Sequence, residues 1–195
     1  MTSNPTTATR RTFLLSGAAI VAVGATGAGL VRWASAGTIA GTPGDVTIER
    51  FTDAGESLGT EVVAKVVKSE AEWRQQLSEL AFHVTRQEGT ERAGTGPWLG
   101  NHQAGVYRCV CCDTALYSSE TKYESHTGWP SFWQEIAATN IVLIEDRTFG
   151  MIRTAVSCAR CEAHLGHVFN DGPEPTGLRH CMNGVALSFA ASPTA

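Results

Sequence analysis

The chain has 195 residues, 43% hydrophobic and 17% charged, which supplies apolar material for one real core plus an appendage. Its net charge of −4 includes three arginines within the first 36 residues, which leaves −7 on the rest. An acidic body excludes binding along a phosphate backbone, which needs clustered Lys and Arg, so no nucleic-acid partner is expected.

Residues 1–36 read as an export signal. Arg10 and Arg11 open TRRTFLL, a Gly/Ala-rich apolar run extends from Phe13 to Val31, and Ala34-Ser35-Ala36 forms a small-x-small cleavage site. Adjacent arginines before Thr-Phe-Leu-Leu resemble a twin-arginine signal, which predicts a periplasmic or otherwise extracytoplasmic protein touching the membrane only through that segment. A retained anchor is the alternative, because the run is about long enough to span a bilayer. Residues 37–48, GTIAGTPGDVTI, are Gly- and Thr-rich and read as a linker, and residues 49–191 as one monomeric domain.

Within the domain, Gly59–Val67 holds the β-branched run VVAKVV, a strand. Ser69 with Glu72 three residues on is a capping-box pattern, and Trp73, Leu77 and Leu80 follow at helical spacing. One amphipathic helix is therefore predicted over about 70–80. From Ala81 the helix pattern fades into a polar, Gly-rich stretch that reads as a long loop leading to Val106-Tyr107-Arg108. Short apolar or alternating runs follow at Ala115–Tyr117, Ile141–Glu145, Met151–Val156 and Val185–Phe189, separated by turn residues. The expected class is mainly β, an α+β domain of antiparallel strands.

Six cysteines punctuate this pattern. Cys109 with Cys112 and Cys158 with Cys161 form two C-x-x-C pairs 45 residues apart. Two such knuckles supply four thiolates in tetrahedral array, the preference of one structural Zn2+ with no open coordination position. Disulfides are the competing reading for an exported chain. Cys111, beside a ligand, is expected to point away from the metal.

Cys181 is left without a partner. Arg179 lies two residues before it, and on an extended strand would share its face and favour thiolate. His164 and His167 in H-L-G-H offer proton donors that titrate near neutrality, and Asp171 could orient Arg179 or a histidine. A structural cysteine among core histidines is the alternative.

Longer motifs carry a family resemblance: Y-R-C-V-C-C (107–112), T-G-W-P-S-F (127–132), C-x-x-C-x-x-H-L-G-H-V-F-N-D-G-P-x-P-T-G-L-R (158–179) and C-M-N (181–183). Together with V-T-R-Q-E-G-T-E-R (84–92), they resemble the methionine-R-sulfoxide reductase family over about residues 45–190. The resemblance implies a small fold of two antiparallel sheets, the Mss4-like or β-tent arrangement, with a short N-terminal helix and a four-cysteine zinc. It implies Cys181 as nucleophile, with His164, His167, Asp171, Arg179 and Asn183 lining its pocket and Trp129 as the apolar wall for the S-methyl group. Oxidised methionine in peptides or proteins is the implied substrate, returned to methionine as Cys181 passes through sulfenic acid, with a thioredoxin-like or other thiol as reductant.

Departures from the family pattern are specific. Thr127 stands where many relatives carry a resolving cysteine, so direct reduction of Cys181 by an external thiol is expected. His180 replaces the usual aromatic before the nucleophile, and Gly184-Val185 replaces Ser-Ala after Asn183; both changes are expected to alter pocket polarity or pH dependence but not the reaction class. Asp113 stands where Gly is usual.

Overall fold

The structure, a computed structural model, describes residues 41–147, 150 and 152–193. The export segment expected over 1–36 and most of the expected linker's first residues lie outside the described residues.

Strands β1 (Asp45–Phe51) and β2 (Ser57–Ala64) form an antiparallel hairpin. β1 takes in residues 45–48, which composition had suggested as linker: the alternation of Val46, Thr47 and Ile48 buries Ile48 and gives the strand its inner face.

The single helix expected over about 70–80 is two. Helix α1 (Glu70–Gln76) starts at the Ser69 capping box as read, and α2 (Glu79–Gln87) follows at once. Ser78 is the reason: its side chain accepts the Ala81 N–H and caps a second helix, while Leu77 is extended at the end of the first. Trp73 and Leu77 are core, whereas Leu80 is exposed. The stretch after Ala81 is thus helical, and Ala81, Phe82, Val84 and Thr85 form its buried stripe.

The remaining strands build two further antiparallel sheets. A three-stranded sheet has the order β11 (Leu187–Ala191), β3 (Gly105–Cys109), β4 (Ala115–Ser118). A six-stranded sheet runs β5 (Lys122–Tyr123), β6 (Ser131–Phe132), β10 (Arg179–Met182), β9 (His164–Phe169), β8 (Arg153–Cys158), β7 (Ile141–Asp146). The mainly β class is as expected, with a second helix and the β1–β2 hairpin added.

Aromatic side chains join these two sheets. Tyr117 stacks on Phe132 with centroids 4.4 Å apart, and Tyr107 meets the same ring edge-on at 5.0 Å. His180 joins this core: it is 1% exposed, its Nδ1 lies 3.1 Å from the Tyr117 hydroxyl and its Nε2 3.4 Å from a Glu135 carboxylate oxygen. Successive side chains on a strand point to opposite faces. His180 therefore points into the core while Cys181 points to the pocket, and the expected effect of His180 on pocket polarity is corrected.

Candidate active site

The two C-x-x-C pairs meet at the ends of strands from different sheets, Cys109 closing β3 and Cys158 closing β8. The sulfurs of Cys109, Cys112, Cys158 and Cys161 all lie within 4.8 Å of one another, with Cys109–Cys161 at 3.6 Å and Cys112–Cys158 at 3.5 Å. Four thiolates around a tetrahedral zinc with Zn–S of about 2.3 Å stand about 3.8 Å apart, so the donor set and its spacing fit that ion.

Both knuckles turn in the same way. Asp113 N–H donates to the Cys109 carbonyl and Glu162 N–H to the Cys158 carbonyl, and both residues are left-handed, with φ of 62° and 59°. Position 113 therefore needs a positive φ, which Gly adopts freely and Asp tolerates at a modest cost. Cys111 is a buried thiol, 3% exposed, and is not among the four clustered sulfurs.

Cys181 sits apart from this knot, on β10, in a cavity of about 140 Å³. Trp129, His167, Phe169, Arg153, Thr90 and Asn183 line the cavity with it. Cys181 is directly opposite His167 on β9, so their side chains share a face. Burial pushes the Cys181 thiol above its usual range, and Arg179 opposes that shift. Arg179 therefore does what its spacing suggested, but desolvation wins, and the resting group is a thiol.

Other site residues fall into definite places. Arg179 donates from Nε and Nη2 to the two Asp171 oxygens at 2.8 Å each, and stacks 4.5 Å over Phe169. That bidentate contact holds Asp171 below its ordinary range and leaves it paired with Arg179 rather than with a histidine. His167 lies 2.9 Å by Nε2 from Asp146 Oδ2, the same oxygen that accepts from Arg153 at 2.6 Å. His164 packs edge-on against His167 with centroids 5.3 Å apart. Burial and then the His167 charge lower it to about pKa 4, so it is neutral near pH 7. Its Nε2 is buried without a hydrogen-bond partner.

Asn183 lines the cavity, but its amide is used by the scaffold. Nδ2 donates to the Leu165 carbonyl at 3.1 Å, and Oδ1 accepts the Glu91 N–H at 3.0 Å. Trp129 donates from its indole Nε1 to the Glu91 carbonyl at 3.2 Å. Beside Cys181, Thr127 Oγ1 stands 4.0 Å from its sulfur, and Ser125 links the Thr127 hydroxyl, at 2.9 Å, to the Ser131 hydroxyl, at 2.7 Å.

Sequence reading missed Glu91, Asp146 and Arg153. Glu91 is 1% exposed, and its carboxylate accepts the N–H groups of Gly184 at 2.6 Å and Val185 at 3.0 Å. Its only cue was membership of the 84–92 stretch. Asp146 and Arg153 become neighbours through the β7–β8 register, which no local spacing announces.

A buried four-sulfur knot that leaves one separate thiol in an apolar pocket, facing an imidazole anchored by a carboxylate, is the architecture of a cysteine-dependent oxidoreductase. Comparison with known proteins agrees. Residues 77–191 match the SelR domain family. The chain is 49% identical to the peptide methionine sulfoxide reductase MsrB of Herminiimonas arsenicoxydans over 66% of its own length and 94% of that protein. It is 51% identical to the protein of the same name from Hahella chejuensis over 64% of its length and 90% of that relative. A third, from Thioalkalivibrio sulfidiphilus, is 50% identical over 61% and 87%.

The chain belongs to this family, the peptide-methionine (R)-S-oxide reductases. Its reaction is reduction of methionine sulfoxide.

Proposed function

We propose that Cys181 is the nucleophile of this reduction, and that the pocket formed by Trp129, His167 and Arg153 holds the sulfoxide over it. What carries the reading is the placement of Cys181 at one wall of an apolar cavity, directly across a strand pair from a carboxylate-anchored His167. Trp129 offers the apolar surface for the S-methyl group, and Arg179 stabilises the thiolate when it forms.

The Cys181 thiolate attacks the sulfoxide sulfur while a histidine protonates the oxygen. The S–O bond breaks, methionine leaves with its sulfur reduced, and the oxygen remains on Cys181 as sulfenic acid. Of the two histidines, His167 is better suited to deliver the proton: it lines the Cys181 cavity and Asp146 stabilises the imidazolium, as a carboxylate does in a catalytic triad. His164 buttresses it in neutral form. Asn183 and Asp171 position the pocket walls and Arg179 respectively.

Regeneration falls to an external thiol, thioredoxin-like or smaller. One thiol converts the sulfenic acid to a mixed disulfide with loss of water, and a second releases Cys181. This is supported by Thr127, whose hydroxyl stands 4.0 Å from the Cys181 sulfur where a resolving thiol would be needed, and by the burial of Cys111. Cys109, Cys112, Cys158 and Cys161 hold one zinc, whose work is to tie β3 to β8.

Assays on the two epimers of an N-acetyl-methionine sulfoxide test the reading. The R epimer is consumed by the wild type and spared by Cys181→Ser, which keeps its zinc. Activity on the S epimer alone, or turnover by Cys181→Ser, would sink it. Mass spectrometry after one turnover without reductant is expected to find sulfenic acid at Cys181; a Cys111–Cys181 disulfide would refute direct reduction. The proposal extends to an extracytoplasmic site of repair, supported by Arg10, Arg11 and the apolar run after them. Replacing both arginines by Lys should hold the protein in the cytoplasm.

A further inference from the structure

The pocket around Cys181 does not end at His167. A second cavity, about 530 Å³, shares Thr90, Arg153 and His167 with it and reaches Ala155 and Ile144. The sheet register explains this continuity. Cys181 is opposite His167, His167 is opposite Ala155, and Ala155 is opposite Ile144, so these four residues form one row across β10, β9, β8 and β7. Directly opposed residues of antiparallel strands present their side chains on the same face. A neighbouring row, Val142, Ser157 and His164, lies on that face too.

Three inter-strand spacings separate Cys181 from Ile144, about 14 Å in all. An extended peptide advances about 3.3 Å per residue, so about four residues cover that path. At its end, Ile144 is 50% exposed on β7, the outermost strand of the sheet, with Val142 exposed two residues before it. Gln87 and Glu88, where α2 stops, also line this cavity. Of the acids on the path, Asp146 is paired with Arg153 and His167 and Glu145 with Arg147, while Glu88 stands at the α2 end, away from the row of opposed strand residues. What the path leaves for a ligand is chiefly apolar at its outer end.

We propose that this row is a docking track for the polypeptide substrate: an extended chain whose methionine sulfoxide enters the Cys181 pocket and whose apolar side chain about four residues away packs on Ile144 and Val142. The inference rests on the reading of Cys181 as the reacting sulfur. It makes the enzyme selective for oxidised methionine in extended segments with a nearby apolar residue, over the free amino acid.

Steady-state kinetics on the full chain test this with three R-sulfoxide substrates besides N-acetyl-methionine sulfoxide. These are eleven-residue peptides, about 36 Å extended, with the sulfoxide at the centre and Leu four positions before it, Leu four positions after it, or Ser at both. One Leu peptide should exceed the Ser peptide in kcat/KM by about ten-fold, the scale of burying an aliphatic side chain. Ile144→Asp should erase that advantage through KM, leaving kcat and the N-acetyl substrate unchanged, with Ile144→Ser intermediate. Equal kcat/KM for all three peptides overturns the track, as does an Ile144→Asp loss of the same size on every substrate. Failure of the Cys181 reading would look different, because Cys181→Ser would then retain turnover on all substrates alike.

Discussion

Glu91 is the residue whose removal should reveal most about how this pocket is held. It joins both pocket walls at once. Its backbone N–H and carbonyl bind Asn183 and Trp129, while its buried carboxylate accepts the N–H groups of Gly184 and Val185. Glu91→Ala leaves those two donors without acceptors. A buried polar group without a partner costs about 1–3 kcal/mol, so the loss should be about 2–5 kcal/mol. Gly96 packs so closely on this carboxylate that a Cβ there would come within 2.1 Å of it, so the site is shaped around Glu91. Glu91→Gln keeps one acceptor oxygen and should cost about half as much. Trp129 and Asn183 keep their bonds to the residue 91 backbone, but that backbone loses the carboxylate that anchors it to Gly184 and Val185, so kcat/KM on an R-sulfoxide peptide should fall about 10- to 100-fold even where the variant is fully folded. Urea unfolding, followed by kinetics well below the midpoint, separates the two effects. A Glu91→Ala protein within 0.5 kcal/mol of wild type, with unchanged kcat/KM, would refute the reasoning.

Metal analysis should find about one zinc per chain. Cys158→Ala should lose it and lower the thermal midpoint by about 10 °C or more, since the knot ties two sheets together. Thr127→Cys places a thiol near a position now 4.0 Å from the Cys181 sulfur, so one turnover without reductant should end in an internal disulfide visible by mass spectrometry. His164 gives a pH prediction. Its folded pKa of about 4 lies below the unfolded value near 6.5, so the unfolded chain binds the proton more readily between them. Its contribution to stability is unchanged above pH 6.5 and falls by about 3 kcal/mol as pH drops to 4. Denaturation midpoints of His164→Gln should be flatter than wild type over that window, and parallel curves would refute the assignment.

Much of this was legible in the chain, for reasons that can be named. Cysteine pairs are local signals whose chemistry dictates their geometry, so the four-sulfur knot could be read from spacing alone. The Ser69 cap was equally local. Ser78 was not recognised as a second cap because the apolar period runs through it without a break. Of the strands that carry the site, β9 escaped notice because H-L-G-H does not alternate as a half-buried strand does, while β10 was legible only as an extended segment that puts Arg179 and Cys181 on one face. Cys181 and His180 face different environments, a pocket and a core, and both tolerate polar groups. Asp146 and Glu91 were invisible for another reason. Their partners are distant in sequence, and register and burial appear only once the sheets are assembled.

The sulfur knot has a consequence for how oxidising equivalents move through the molecule. Four of the six cysteines are gathered at one corner where two sheets are joined, metal coordination would silence them, and Cys111 is buried. Cys181 stands apart, lining its own cavity. On the proposed reading of Cys181 as the reacting sulfur, a protein that handles oxidised sulfur has thereby isolated its own: the oxidation taken from a client could be passed only outward. Turnover would then be tied to the supply of thiols in the surroundings, with the scaffold insulated from the chemistry.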